Sequence, residues 1–429
     1  MTEPCRIIGV LDNGADGLSA AALAFIREAD LAIGAARTLE LFAGRIPACA
    51  EQRELNGQLA RVPEWIEEAR RHHKKVVVLA TGDPLCHGIA KYLAGKLGAA
   101  ACQVVPNIST IQLAFARLSL PWQDARICSV HGSDSGEWMP GSGPEHGMYV
   151  LLQAVRREKL LAVFTGPHNT PDRIARMLVS EGLDAEFEMM VAERLLLAEE
   201  RIAGPLDIAA AASSTFADPN VVILRRNAGQ RPEITFGLAD DRYRQRKPDK
   251  GLITKREVRA VSLARMALRS DSVVWDIGAG SGSVGLEAAR LCPQGHVYAI
   301  EKNAEDAAIA AENRKNLHVT NYSLIHGKAP QGLDAWPDPD AVFIGGSGGG
   351  LAGLVRLCLE RLQPDGWLVM NFVTFENLSS AVEALKQAAA RWDVTQIQAS
   401  RSQPILDMHR LQAENPVWIV CAQKGTQNE

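Results

Sequence analysis

Short apolar runs alternate with amphipathic helical stretches along the whole chain. Helices fit between the apolar runs, for example over residues 65–72 and 110–118. Continuous apolar strands separated by helices are typical of α/β domains, in which helices cover both faces of a mostly parallel sheet. The pattern therefore predicts an α/β protein. In the first half, the predicted strands cover residues 6–11, 31–33, 75–80, 102–106, 127–131, 161–165, 186–193 and 220–224.

Two stretches interrupt this pattern and indicate domain boundaries. Residues 132–147 are rich in Gly, Ser and Pro, which is typical of a loop between two lobes. Residues 225–248 contain few apolar residues and many charges, which favours a linker. The predicted organisation is an N-terminal domain over residues 1–225 with lobes at about 1–118 and 119–225, a linker over 226–250, and a C-terminal domain over 251–429.

Composition narrows the class of partner. Hydrophobic residues make up 47% of the 429 residues and charged residues 22%, as in ordinary globular proteins. The net charge is −4, whereas nucleic acids and anionic membranes attract proteins with a dominant basic field. No apolar run reaches the roughly 18–20 residues that span a bilayer. We therefore expect neither a nucleic-acid nor a membrane partner.

The eight cysteines are scattered, without CxxC or CxH spacing. Scattered cysteines favour free thiols in a reducing compartment over disulfides or a zinc site. The sequence therefore predicts a cytoplasmic protein without a bound metal.

The clearest local motif is a glycine-rich loop in the second half. A predicted strand at Val273–Ile277 runs into Gly278, Gly280 and Gly282, and a predicted helix follows. Glycine adopts positive φ angles readily and lets a ligand approach bare backbone. The N-terminus of the helix adds unpaired N–H groups and a partial positive charge. This arrangement predicts a nucleotide-type cofactor site, although many dinucleotide sites share the glycine pattern.

Two acidic residues restrict the choice of cofactor. The next predicted strand, over residues 295–300, ends at Glu301, where a carboxylate can bind two ribose hydroxyls. Asp276 lies two residues before the glycines, where dinucleotide sites usually have an apolar residue. An acid there favours a cationic cofactor with an amino group and a sulfonium, S-adenosylmethionine. An NAD-dependent oxidoreductase and a simple tight turn remain as alternatives.

The second half resembles the decarboxylating precorrin methyltransferases of cobalamin (vitamin B12) synthesis, which implies a Rossmann-like fold that binds S-adenosylmethionine. The matching segments begin at Gly251 (GLITKREVR), Trp275 (WDIGAGSGS), Ala299 (AIEK), Asp340 (DAVFIGG) and Asn371 (NFVT). By this resemblance the cofactor-binding residues are Thr254, Asp276, Gly278, Ala279, Gly280, Ser281, Gly282, Glu301 and Ala329. Gly345 and Gly346 would bind the substrate. Lys328 replaces the acid that this family usually has after the fourth strand, so the backbone of Ala329 is the expected contact there.

The first half resembles the tetrapyrrole methylase family, whose fold consists of two α/β lobes around a cofactor cleft. The matching motifs are TGDP at Thr81 followed by Gly88, VPNIST at Val105, and Glu193-Arg194. By this resemblance the cofactor contacts of the first half are Gly9, Gly82, Asp83, Pro84, Ser109 and Thr110.

The two families fused in this order imply S-adenosylmethionine-dependent methylation of a precorrin at carbons 5 and 15, with decarboxylation of the acetate on carbon 12. The second half would act on carbon 15 and the acetate, and the first half on carbon 5. Leu11 and Leu196 stand where the tetrapyrrole methylases commonly have glycine. The alternative is therefore a single active domain beside an N-terminal half that only holds the tetrapyrrole. A nucleic-acid methyltransferase is a further alternative, although the fourth strand lacks an Asn-Pro-Pro-Tyr-like loop.

Methyl transfer to an electron-rich ring carbon needs alignment more than acid or base catalysis. No catalytic residue is therefore assigned, although Asp83 and His131 are candidates because both lie near predicted strand ends. The substrate carries many carboxylates, so Lys255, Arg256 and Arg259 are candidate anchors beside the glycine loop. The resembling decarboxylating enzymes assemble as oligomers, which implies a homo-oligomer here.

Overall fold

The computed structural model describes residues 3–132, 134–227, 235–246, 253–346 and 349–424, and the α/β prediction is confirmed within them. The helices are α1 (Ala20–Arg27), α2 (Ala36–Leu41), α3 (Val62–Arg71), α4 (Ile89–Leu97), α5 (Thr110–Leu118), α6 (Tyr149–Arg157), α7 (Pro171–Ser180), α8 (Ile208–Ala212), α9 (Arg256–Arg265), α10 (Ser283–Leu291), α11 (Ala304–Asn316), α12 (Leu351–Arg361) and α13 (Phe375–Gln387).

The chain divides into two compact units that do not follow one simple cut. Unit 1 contains Met1–Asp134, Glu158–Arg176 and Ala185–Arg226. Unit 2 contains Ser135–Arg157, Met177–Asp184 and Asn227–Glu429. Two segments of the predicted N-terminal domain thus pack with the C-terminal half, which sequence periodicity does not indicate.

Unit 1 contains two five-stranded sheets. The first is entirely parallel, with strand order β3-β2-β4-β1-β5. The second has the order β6-β7-β10-β8-β9, and only β6 and β7 are parallel. The strands are β1 (Cys5–Val10), β2 (Leu31–Gly34), β3 (Glu51–Glu54), β4 (Val76–Thr81), β5 (Cys102–Val105), β6 (Arg126–Ser129), β7 (Leu160–Phe164), β8 (Phe187–Glu193), β9 (Arg201–Asp207) and β10 (Asn220–Arg226).

Unit 2 contains a seven-stranded sheet in the order β13-β12-β11-β14-β15-β19-β16. Its first five strands are parallel, and β19 is antiparallel to both of its neighbours. Alternate side chains of the central strand enter opposite cores, Val274 on one face and Trp275 with Ile277 on the other. The strands are β11 (Val273–Ile277), β12 (His296–Glu301), β13 (Tyr322–His326), β14 (Ala341–Ile344), β15 (Trp367–Phe372), β16 (Arg391–Ile397) and β19 (Val417–Gln423).

A separate hairpin lies between β16 and β19. It consists of β17 (Ser400–Ile405) and β18 (Met408–Ala413), paired antiparallel. The hairpin and β3 have largely exposed side chains. Their sequences therefore lack the apolar runs by which the buried strands were predicted.

Part of the stretch predicted as a linker is instead packed into unit 2. The predicted linker residues 228–234 and 247–250 lie outside the described residues, as do Gly251 and Leu252 of the first matching motif. Between those gaps, Leu238 and Tyr243 are buried in the core of unit 2. Two apolar residues among many charged ones do not form a periodic pattern, so the sequence did not predict that this segment is buried.

Within the described residues, no helix has the length and apolar character needed to cross a membrane. The same residues contain no group of three or more His, Cys, Asp or Glu side chains that could hold a metal ion.

Candidate active site

The glycine loop of unit 2 connects the end of β11 to the start of α10. Gly278, Gly280 and Gly282 all have positive φ angles, of 72°, 55° and 79°. At Gly278, an added Cβ would lie 2.7 Å from the backbone nitrogen of Gly346. The loop is therefore built from backbone that runs too close to the end of β14 for a side chain at Gly278.

A cavity of about 590 Å³ opens at this edge of the sheet, within the range of about 300–1,000 Å³ that small-molecule sites occupy. It lies beyond the carboxyl ends of the parallel strands, where α/β sheets bind ligands. The predicted residues that line it are Thr254, Lys255, Gly278, Ala279, Gly280, Glu301, Ala329, Gly345 and Gly346.

Glu301 ends β12 and is 6% exposed. Its two carboxylate oxygens accept hydrogen bonds from the backbone N–H groups of Gly280 and Asn303, each at 2.8 Å. The carboxylate is therefore held between the glycine loop and the start of α11, on the wall of the cavity.

Asp276 lies beneath the loop and does not line the cavity. It is 1% exposed, and its Oδ2 accepts a hydrogen bond of 3.1 Å from the Gly285 backbone N–H. Its Oδ1 has no hydrogen-bond partner in the described structure, and the same holds for Ser281 Oγ and Tyr322 Oη. Burial raises the pKa of the Asp276 carboxyl to about 7; the hydrogen bond from Gly285 opposes this rise and the charge of Glu301 adds to it.

Since buried polar atoms are usually hydrogen-bonded, these three mark a polar layer beneath the loop that would suit a polar ligand. An added Cβ at Gly285 would lie 2.7 Å from Cε2 of Tyr322 and 2.9 Å from Cγ of Asp276, which shows how closely both side chains pack against the Gly285 backbone. Ser281 and Gly282 also belong to this layer and not to the cavity wall. Tyr322 carried no sequence signal, because one tyrosine in an apolar strand resembles ordinary core.

The three predicted substrate anchors have different environments. Lys255 lines the cavity, whereas Arg256 is exposed and does not. Arg259 is 0% exposed, and its guanidinium donates to Glu287 at 2.7 Å and to the carbonyl of Thr254 at 2.7 Å. The hydrogen-bonding groups of Arg259, one of the predicted substrate anchors, are therefore used inside the protein in this structure.

Other residues of the cavity were missed by sequence reasoning. Asn303 follows Glu301 and caps α11, since its side chain accepts from the backbone of Glu305 and Asp306. This capping signal is visible in the sequence. The residues at the base of the hairpin β17–β18, Ala399, Glu414 and Asn415, have no such signal. The missed lining residues include Asn303, Asp306, Ala399, Glu414 and Asn415, whereas Asn371 and Val373 lie in the matching NFVT segment.

In unit 1, the predicted cofactor residues meet at the carboxyl ends of β1, β4 and β5. An added Cβ at Gly9 would lie 2.8 Å from the backbone nitrogen of Asn107. Asn107 was not predicted, but its side-chain amide donates to the carbonyls of Gly9 and Gly17. Gly82 has a φ angle of 71°, and an added Cβ there would lie 3.5 Å from the Thr110 nitrogen.

The polar side chains of this region support its loops. Ser109 Oγ caps α5 by accepting from the Gln112 backbone N–H, and the side-chain Oε1 of Gln112 accepts in turn from the Ser109 backbone N–H. Asp83 Oδ1 accepts from the Leu85 N–H at 2.9 Å and so stabilises the turn that Pro84 continues. His131 Nδ1 lies 2.9 Å from the Thr165 carbonyl oxygen. Neither candidate catalytic side chain is held toward an acid–base partner.

A second cavity, of about 910 Å³, adjoins the Gly82–Pro84 turn. It combines apolar side chains with the ammonium groups of Lys91 and Lys96 on α4. Leu11, which stands where related loops have glycine, is buried in the core formed with Ile111 and Leu195. Its side chain therefore belongs to the packing of unit 1.

Comparisons with known proteins match both halves of the chain. A family model described as the precorrin methyltransferase domain matches residues 247–424, and one described as tetrapyrrole (corrin/porphyrin) methylases matches residues 5–210. A Sinorhizobium protein named precorrin-6Y C(5,15)-methyltransferase [decarboxylating] is 34% identical over 413 residues, covering 96% of this chain and 94% of that protein.

Shorter relatives match less than half of the chain. A Salmonella typhimurium protein named cobalt-precorrin-6B C(15)-methyltransferase (decarboxylating) is 39% identical over 173 residues, covering 40% of this chain and 89% of that protein. A crystal structure described as precorrin-6Y C5,15-methyltransferase from Geobacter metallireducens is 39% identical, with a TM-score of 0.43, and covers 45% of this chain and 100% of its own.

Proposed function

The chain belongs to the family of decarboxylating precorrin-6Y C(5,15)-methyltransferases, and we propose that it methylates carbons 5 and 15 of a precorrin and removes carbon dioxide from the acetate on carbon 12. It is a methyltransferase that uses S-adenosylmethionine, as the cofactor prediction stated. The full-length relatives are named for both carbons, which supports two active units over an N-terminal half that only holds substrate.

We assign carbon 15 and the decarboxylation to unit 2. The observation that carries this assignment is the glycine loop, with Glu301 beside it and bare backbone at Gly345 and Gly346 on one cavity. When bound, S-adenosylmethionine supplies a methyl group on a positively charged sulfur. Glu301 would bind the ribose hydroxyls, and the bare backbone of the glycine loop would let the cofactor lie close to the strand ends.

The residues of unit 2 need only orient the two reactants and exclude water. A near-attack alignment can lower the barrier by roughly 7–11 kcal/mol. The nucleophile is an electron-rich carbon of the substrate, and the conjugated macrocycle can accept the electron pair that decarboxylation releases. Lys255 on the cavity wall would pair with a substrate carboxylate.

An apolar surface at the mouth of this cavity suits the flat face of the macrocycle. Val373 lines the cavity and is exposed, and Phe375 two residues further is also exposed. The Phe375 ring lies 4.8 Å, centroid to centroid, from that of Trp418, which supports it from behind. A tetrapyrrole has carboxylates around its rim and an apolar ring face. The cation on the cavity wall suits the carboxylates, and the apolar surface suits the ring face.

We assign the carbon 5 methylation to unit 1. The backbone at Gly9, Gly82 and Thr110 would hold the second cofactor molecule. The adjoining 910 Å³ cavity, with Lys91 and Lys96, would take the carboxylated macrocycle.

The function is tested by incubating the full chain with S-adenosylmethionine and a precorrin-6 preparation, followed by mass spectrometry. We expect a product with two added methyl groups that has lost one carbon dioxide. A product with one added methyl group and no methyl group at carbon 5 would instead support the alternative in which only one domain is active. An unchanged precorrin would overturn the proposal.

Replacing Glu301 with glutamine should weaken binding of S-adenosylmethionine at unit 2. The substitution removes the negative charge of the carboxylate that would accept hydrogen bonds from the ribose hydroxyls. Losing one charge-assisted hydrogen bond should reduce the binding free energy by about 1.5–3 kcal/mol. Isothermal titration calorimetry measures the dissociation constant. The matched control is Glu305→Gln, an exposed acid in the first turn of α11. Equal affinities of the two variants would show that Glu301 does not contact the cofactor.

We also propose that the hairpin β17–β18 contacts a second copy of the chain. Four large apolar side chains of the hairpin are exposed, Leu406 by 94%: Ile405, Leu406, Met408 and Leu411. Replacing Leu406 and Leu411 with aspartate should lower the molar mass measured by light scattering to that of a monomer. A wild-type chain that is already monomeric would exclude this interface.

A further inference from the structure

One carboxylate in unit 2, that of Asp240, is shared between two arginines. Its Oδ1 accepts from Nη1 of Arg259 at 3.2 Å, and its Oδ2 accepts from Nη1 of Arg401 at 2.8 Å. The side chain of Asp240 is 12% exposed, so water screens these ion pairs only partly. Asp240 belongs to the stretch that the sequence presented as a linker.

The first arginine holds one wall of the cavity. Nη1 of Arg259 also donates to the carbonyl of Thr254 at 2.7 Å, and its Nε donates to Glu287. Glu287 accepts in turn from the Tyr243 hydroxyl and from the backbone at Gly237. Since Thr254 lines the cavity, this buried network fixes the backbone of that wall.

The second arginine holds a different wall. Arg401 lies on β17 and also donates to both carboxylate oxygens of Glu257 on α9. The base of the same hairpin is closed by a hydrogen bond of 2.9 Å from the Glu414 N–H to the Ala399 carbonyl. Ala399 and Glu414 both line the cavity, and Arg401 ties the hairpin that rises from them to Asp240 and to α9.

We infer that Asp240 is a positioning residue for the reaction of unit 2. It braces the Thr254 wall through Arg259, and through Arg401 it braces the hairpin-base wall that continues from the paired ends of β16 and β19. Without its negative charge, Arg259 would keep Glu287 and Arg401 would keep Glu257, but the link between the two arginines would be lost and the hairpin base would move away from the cavity. This inference rests on the proposed use of the cavity for S-adenosylmethionine and precorrin.

The test compares Asp240→Asn in the full chain with the neighbouring exposed control Asp241→Asn. Hydrogen exchange should become faster at residues 253–255 and also at residues 399–415 in Asp240→Asn alone. The kcat/KM for carbon 15 methylation should fall by about tenfold to a hundredfold, as expected when reactants lose alignment. Carbon 5 methylation by the same variant should stay unchanged, and Asp240→Glu should restore part of the lost activity.

A second variant separates the two walls. Arg401→Met removes only the hairpin contact, so exchange should rise at residues 399–415 and stay unchanged at residues 253–255. Unchanged exchange at both walls in Asp240→Asn would overturn the inference, and so would faster exchange with carbon 15 kinetics like those of the control. If the wild type fails to methylate carbon 15, the proposed function fails, whereas the exchange data still decide whether Asp240 holds the walls.

Discussion

Replacing Gly278 with alanine should abolish cofactor binding in unit 2 and leave the reaction of unit 1 intact. The φ angle of Gly278 is 72°, a conformation that costs a non-glycine residue about 1–2 kcal/mol. The added Cβ would also lie 2.7 Å from the nitrogen and 2.9 Å from the Cα of Gly346. Both atoms are backbone, so the strand end that lines the cavity would have to move.

The expected readout is specific for one unit. Calorimetry should show one molecule of S-adenosylmethionine per chain instead of two, and mass spectrometry should show a product with a single added methyl that keeps its carbon 12 carboxylate. Gly353→Ala on α12 is the matched control, because an added Cβ there meets nothing within 4 Å. Two cofactor molecules bound to Gly278→Ala would show that the loop is not the site.

The glycine loop could be predicted because its chemistry is local in sequence. The strand Val273–Ile277, the glycines and Glu301 lie on consecutive elements, and parallel strands bring their carboxyl ends to one edge. The resemblance to the decarboxylating precorrin methyltransferases, and not strand order, suggested Ala329 and Gly346, which line the same cavity.

The environment of Arg259 could not be predicted for the opposite reason. Its partners Asp240 and Glu287 are distant in sequence and lie on either side of it. A charged residue beside two other cations normally indicates a solvated surface, because burying a charge is costly unless it is paired. Only the fold shows that Arg259 has both carboxylate partners, Asp240 and Glu287, inside unit 2.

The hairpin wall and the segments 135–157 and 177–184 were missed in the same way. Trp138, in the loop predicted to separate two lobes, is buried, and its indole N–H donates to Glu181 at 2.8 Å. Glu181 also pairs with Arg314 at the end of α11, and both side chains are nearly fully buried. A Gly- and Ser-rich composition indicates a loop but does not reveal which core its single aromatic residue enters.

Replacing Glu181 with alanine should therefore cause the largest loss of stability in unit 2. The carboxylate accepts from Arg314 at 3.0 Å and from Trp138, and its removal leaves a buried guanidinium without its counter-charge. Breaking one half of a buried ion pair costs about 3–5 kcal/mol of the free energy of unfolding. Urea denaturation followed by tryptophan fluorescence measures this loss. Glu312→Ala, which breaks an exposed pair with Arg244, is the control and should cost about 0–1 kcal/mol.

A double variant distinguishes an unpaired charge from lost packing. If the cost of Glu181→Ala comes from the stranded Arg314 charge, then adding Arg314→Met should restore much of the free energy of unfolding, because well-packed apolar side chains replace buried ion pairs at little cost. Losses that simply add in the double variant would instead assign the effect to the cavity left by the Glu181 side chain. A single variant as stable as Glu312→Ala would show that the segment 177–184 does not depend on this ion pair.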